Sequence, residues 1–110
     1  NVYAVKLQAV QTVKIENMEH RIKATFKKVQ DADKFIDFLV DSGIDPESEI
    51  ELMYLKGRHI VDYVIDDIYI DPEEAVAYDV DFLDDEHIKN YSISLDGKEC
   101  KDYIIKKYIK

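Results

Sequence analysis

Asp79 and Asp81 stand two residues apart in AYDVDF (77–82), with Asp66 and Asp67 a short way upstream. Alternate residues of a strand share a face, so on a strand these two carboxylates point the same way. Joined by Asp66 or Asp67 from a neighbouring strand, they make an oxygen-rich site of the kind that holds Mg2+ for phosphoryl or phosphodiester chemistry. That chemistry also calls for a lysine or a glycine-rich loop to hold phosphate. No Lys or Arg occurs between positions 59 and 88, and the glycines at 43, 57 and 97 are scattered. Asp79 and Asp81 are therefore expected on a solvated strand face, and a divalent-metal enzyme using them is kept as an alternative. An EF-hand fails on spacing, because counting from Asp79 puts Asp84 at the sixth position, where glycine is needed.

Nucleophilic chemistry has even less to draw on. His20, His59 and His87 are far apart in sequence, and Cys100 sits in DGKECKD, which has no nucleophile-loop character. A part-buried thiol near a helix is the ordinary role for such a cysteine. P-loop, GxGxxG, GxSxG, HExxH and CxxC patterns are all missing from the sequence. No catalytic residue is assigned and no cofactor is implied.

What remains is charge. Residues 62–86, DYVIDDIYIDPEEAVAYDVDFLDDE, hold eleven carboxylates: Asp62, Asp66, Asp67, Asp71, Glu73, Glu74, Asp79, Asp81, Asp84, Asp85 and Glu86. The whole chain carries −9, yet outside 59–88 its thirteen acids are outnumbered by fifteen bases. Such a field repels nucleic acid and attracts cations or basic protein surfaces. Tyr63, Tyr69 and Tyr78 lie among the acids, and tyrosine supplies apolar area with a polar tip at interfaces. Same-face strand residues recur every ~6.6 Å, so a carboxylate ladder there is comparable to the phosphate repeat of a nucleic acid strand. These fourteen residues form the expected partner-binding surface. The expected function is an acidic hairpin engaging a basic protein, with an inhibitor from a phage or mobile element that mimics nucleic acid as its sharpest version. A structural subunit of a larger assembly is the remaining alternative. The mildly basic set Lys6, Lys14, Arg21, Lys23, Lys27 and Lys28 is expected to be an ordinary solvated sheet face, not a nucleic-acid site.

The elements that must position these residues follow from periodicity. Residues 3–15 and 21–28 alternate as strands around a loop at 16–20. In DADKFIDFLVDSGI, Ala32, Phe35, Ile36, Leu39 and Val40 recur at helical spacing. Asp31 is placed as the cap and Gly43 just past the end, predicting a helix over about 31–42. EIELMYL (49–55) alternates as a strand, and KGR (56–58) turns the chain. HIVDYVIDDIYI (59–70) suits a helix face or a strand; its eight Val, Ile and Tyr residues favour strand. Pro72 in DPEE suits a turn or a helix start. Val76, Tyr78, Val80 and Phe82 alternate with Ala77, Asp79 and Asp81, predicting a strand over 75–83 that pairs with 59–70. Residues 84–90 are assigned to a loop or short helical turn, 91–95 to a short strand, Asp96–Gly97 to a tight turn and the tail to a short helix.

The fold class is therefore α+β: one domain over 1–110 with a mostly antiparallel sheet of five or six strands. One amphipathic helix covers one face and a short C-terminal helix follows. No βαβ unit recurs on this reading, so a doubly wound parallel sheet is not expected. The longest charge-free run is seven residues, far short of the ~20 a membrane-spanning helix needs. A single cysteine forms no internal disulfide, which favours a reducing, cytoplasmic setting.

Overall fold

Strand β1, Glu19–Phe26, is built by alternation: Ile22, Ala24 and Phe26 are buried while Arg21 and Lys23 are exposed. The structure, a computed structural model, describes residues 19–68 and 70–109. The expected strand over 3–15 lies outside them, as does Tyr69. Glu19 and His20 were expected in a loop, but they extend β1, pairing with Asp66 and Ile65.

Helix α1, Val29–Asp41, follows directly. It begins two residues before the expected cap, so Asp31 lies in the first turn instead, where its charge suits the positive end of the helix dipole. The end is as expected. Gly43 takes φ +98°, its N–H bonds the Val40 carbonyl at 3.0 Å, and the Ile44 N–H reaches back to the Leu39 carbonyl at 3.1 Å. This is the paired Schellman ending, which needs a left-handed residue past the cap. Ala32, Phe35 and Leu39 are buried, but Val40, expected on the same face, is exposed.

Strands β2 (Ile50–Leu55) and β3 (Arg58–Asp66) form a hairpin around Lys56 and Gly57, both at positive φ, as a two-residue turn of the I′ type requires. The ambiguous segment is thus a strand, ending four residues earlier than expected.

The expected second strand, 75–83, is instead helix α2, Pro72–Asp85. Val76, Val80 and Leu83 are fully buried at i, i+4 and i+7, so the alternation in AVAYDVDF was incidental to a helical face. The start is well specified. The Asp71 carboxylate accepts from the Glu73 N–H at 3.0 Å, Pro72 occupies the first turn, and Glu73 and Glu74 oppose the dipole's positive end. No hairpin joins 59–70 to 75–83. Strand β4 (Ser92–Leu95), a tight turn at Asp96–Gly97, the two-residue β5 (Lys98–Glu99) and helix α3 (Lys101–Tyr108) complete the order.

Among the described residues five strands form one sheet in the order β2-β3-β1-β4-β5, every pairing antiparallel. Together with the three helices of the described residues this is an α+β arrangement. β1 and β2 run parallel with β3 between them and α1 as the crossover. β3 and β4 run parallel with β1 between them and α2 as the crossover. Because 75–83 is helical, the βαβ connection does recur, twice, in the split form called ferredoxin-like. Ile22, Ala24, Phe26, Val61, Tyr63 and Ile93 supply the sheet's share of one core. Residues of α1 and α2, with Ile104 of α3, supply the rest. Among the described residues no helix is long and apolar enough to cross a membrane.

Candidate functional site

Two crossover helices on one sheet face leave a space between the C-terminal half of α1, the outer half of α2 and the end of β3. The cavity measures about 790 Å3. Ala75, Tyr78, Asp79 and Phe82 bring it a helical face at i, i+3, i+4 and i+7. Phe38, Leu39, Ser42, Gly43 and Ile44 come from α1 and its ending; Tyr63, Val64, Ile65 and Asp66 come from β3. The rings of Phe38 and Phe82 stack at 4.2 Å, only 5° from parallel, and tie the two helices together. Glu49, Asp66, Asp81 and Asp85 add carboxylates to the lining.

Asp79 is the deep polar group. It is 3% exposed, and its Oδ2 accepts from the Tyr63 hydroxyl. Among the described residues its Oδ1 has no hydrogen-bond partner and no cation pairs with it. Burial pushes the carboxyl up to about 8, against which the Tyr63 bond pulls down. The Tyr63 hydroxyl is itself held well above its ordinary value, first by burial and then by the neighbouring carboxylate.

The acidic segment is only partly gathered. Asp66, Asp81 and Asp85 line the cavity with Tyr63, Tyr78 and Asp79. Asp62 lies on the opposite sheet face, 4% exposed, with Arg21 Nη1 2.9 Å from its Oδ1. That contact neutralises charge without the alignment of a hydrogen bond. Asp67 contacts His20 at 3.2 Å, and His20 contacts Asp96 at 2.7 Å on its other nitrogen. Glu73 pairs with Lys107 at 3.0 Å, which holds its carboxyl below the usual range. Asp71 caps α2, Glu74 accepts from Tyr78 at 3.5 Å, and Asp84 accepts from the Tyr91 hydroxyl at 2.9 Å.

The expected ladder of same-face carboxylates does not form. On a helix, residues two apart diverge by about 200°, so Asp79 is buried while Asp81 is exposed. The two-carboxylate metal geometry fails for the same reason, and among the described residues no three His, Cys, Asp or Glu groups converge on a point. Cys100 is half-buried just before α3, its thiol 3.6 Å from the Ile93 carbonyl and pushed up to about 11, mainly by burial.

Sequence reasoning missed the apolar walls. Phe38 stands three residues after Phe35 and so carried a helical signal, but its partner Phe82 was assigned to a strand. The fold and site together define an α+β protein with an acid-rimmed cavity beside its second crossover helix. No family model, curated protein or solved structure matches the chain. The split βαβ topology hosts many unrelated activities, so function has to be argued from the site.

Proposed function

We propose that this is a binding protein that uses the outer, C-terminal part of α2 to engage a basic protein surface. The observation that carries the proposal is the placement of Asp81, Asp84, Asp85 and Glu86 at the negative end of their own helix, with no basic residue in its last turn. Carboxylates there oppose the helix dipole and one another, each at a cost of about 0.3–1 kcal/mol. A chain selected for stability alone would favour Lys or Arg at those positions; a cationic partner relieves both repulsions. Exposed Tyr78 stands beside Asp81 and Asp85 and gives such a partner apolar area as well. The proposal does not need a nucleic-acid mimic, since α2 carries no even ladder of carboxylates.

The test uses a short amphipathic Lys/Leu peptide and its Glu/Leu twin as probes, followed by fluorescence anisotropy. Expected is binding of the basic peptide alone, falling at least about tenfold between roughly 50 and 500 mM salt. The double variant Asp81→Lys/Asp85→Lys loses the binding. Reversal of the equally acidic Asp33 and Asp37 on α1 leaves it. Equal losses from both reversals, or binding indifferent to salt, would refute the assignment to α2.

A further inference from the structure

We propose that the cavity between α1, α2 and the end of β3 is a binding site for a small apolar amine, its body against the stacked Phe38 and Phe82 pair and Ile65, and its ammonium against Asp79 Oδ1. This goes beyond the protein-binding reading and requires no partner protein.

Three observations converge. A volume of about 790 Å3 falls within the range of about 300–1,000 Å3 typical of small-molecule sites, which are mostly apolar with a few placed polar groups. The polar group at the floor is a carboxyl whose Oδ2 is already held by Tyr63 and whose Oδ1 has no partner among the described residues. Once the carboxyl ionises that oxygen accepts hydrogen bonds, and an ammonium offers three donors and no acceptor. Among the described residues no Lys or Arg lines the cavity, while Glu49, Asp66, Asp81 and Asp85 do. Their field draws cations in and turns anions away.

Proton balance follows from the same geometry. The Asp79 carboxyl is mostly protonated at neutral pH. An ammonium bound at Oδ1 stabilises the carboxylate, so binding releases the Asp79 proton to solvent and leaves an ion pair. The Tyr63 hydroxyl on β3 contacts Asp79 directly, and Asp66 at the strand's end, Glu49, and Asp81 and Asp85 on its own helix share the cavity with it. The Cys100 thiol before α3 also feels the Asp79 charge. The α1 side contributes Phe38, Leu39 and Ser42, none of which titrates in this range. Tyr63 and Cys100 are held at higher values than Asp79, so Asp79 governs the profile near neutrality.

The test is an NMR titration of the full chain with n-hexylamine, n-hexanol and n-hexanoate. Expected is binding of the amine at least about tenfold tighter than the alcohol, no binding of the carboxylate, and shifts centred on Phe38, Tyr63 and Phe82. Amine affinity should rise about tenfold per pH unit below roughly pH 8. Asp79→Asn, which replaces a neutral acid by a neutral amide of the same shape, should abolish that pH dependence and reduce the amine to the alcohol's level. Asp81→Asn/Asp85→Asn should keep the preference for amine. Equal binding of amine and alcohol, an unchanged pH profile in Asp79→Asn, or shifts confined to Asp81, Asp85 and Glu86 would each overturn the proposal. So would tighter binding of Nα-acetyl-lysine methylamide than of hexylamine, which would assign the floor to a partner's lysine.

Discussion

The Tyr63 hydroxyl on β3 donates to the Asp79 carboxylate on α2, and both side chains are buried in the interface between sheet and helix. Burying that carboxyl carries a cost that depends on pH, which the bond from Tyr63 partly offsets. Folding holds Asp79 at about 8 by burial, whereas an aspartate in an unfolded chain titrates near about 3.9. Between those values the unfolded chain has released a proton that the folded chain keeps. Stability from this group is therefore complete below about pH 4 and falls as pH rises toward 8, by at most about 1.4 kcal/mol per pH unit. Asp79→Asn has no such proton. Its stability relative to the parent chain should grow steadily from about pH 4.5 to 7.5, as read from urea denaturation. Parallel pH profiles for the two proteins would place Asp79 in a wetter setting than its burial implies.

His20 changes stability with pH in the same sense, but through its charged form. The Asp96 bond, partly opposed by burial and helped by Asp67, raises the imidazole above its ordinary value. A histidine raised on folding contributes stability that is full below the unfolded value and is lost as pH rises through the folded one. The imidazole CH resonances should titrate above histidine's ordinary value of about 6.5. Asp96→Asn should lower that midpoint more than Asp67→Asn, because the Asp96 contact is the shorter and the larger cause. The reverse order would mean that Asp67 is the true partner in solution.

The helical register of α2 makes unequal demands on its side chains. On a strand, Val76, Tyr78, Val80 and Phe82 would share a face and their removal would cost alike. On the helix, Leu83 is fully buried and Tyr78 is 57% exposed. Leu83→Ala should cost about 2–5 kcal/mol, and Tyr78→Ala no more than about 0.5 kcal/mol. Chemical denaturation of the two variants gives the comparison, and a loss at Tyr78 as large as or larger than that at Leu83 would favour the strand, on which the two side chains face opposite ways.

Much of this fold was legible because local signals agreed with one another. In β1 the alternation, the basic outer residues and the neighbouring turn all pointed the same way. In α1 the apolar spacing and Gly43 did so too. Residues 71–85 held conflicting signals. Asp71, Pro72 and the two glutamates announced a helix start, while AVAYDVDF kept a strict period of two. Val76, Val80 and Leu83 satisfied a helical period at the same time, and nothing local decides between periods when both fit. What decided it was tertiary: the crossover from β3 to β4 needs an element that covers the sheet face, and β1 already occupies the place beside β3. The candidate site was less legible still. Asp79 was singled out for a role on an open face, whereas its importance comes from burial against Tyr63. The cavity depends on Phe38 meeting Phe82 across the chain, a contact no local spacing encodes.

The end of α2 separates stability from function. His87 sits at φ +59° as the left-handed residue past the cap, its N–H bonded to the Asp84 carbonyl at 3.0 Å, with the Ile88 N–H on the Leu83 carbonyl at 3.0 Å. A side chain at that φ costs about 1–2 kcal/mol relative to glycine, and the extra freedom of glycine in the unfolded chain returns part of it. His87→Gly should therefore stabilise the protein by about 0.5–1 kcal/mol and leave binding of the basic peptide unchanged. Asp85→Lys should also stabilise, by about 0.3–1 kcal/mol, because it turns an unfavourable charge at the helix end into a favourable one. Unlike His87→Gly, it should weaken the peptide. Thermal denaturation and anisotropy on the same two variants give both readouts. If Asp85→Lys stabilises the fold and leaves binding intact, the carboxylates at this helix end serve neither stability nor the proposed partner, and the case for α2 as the contact surface is lost.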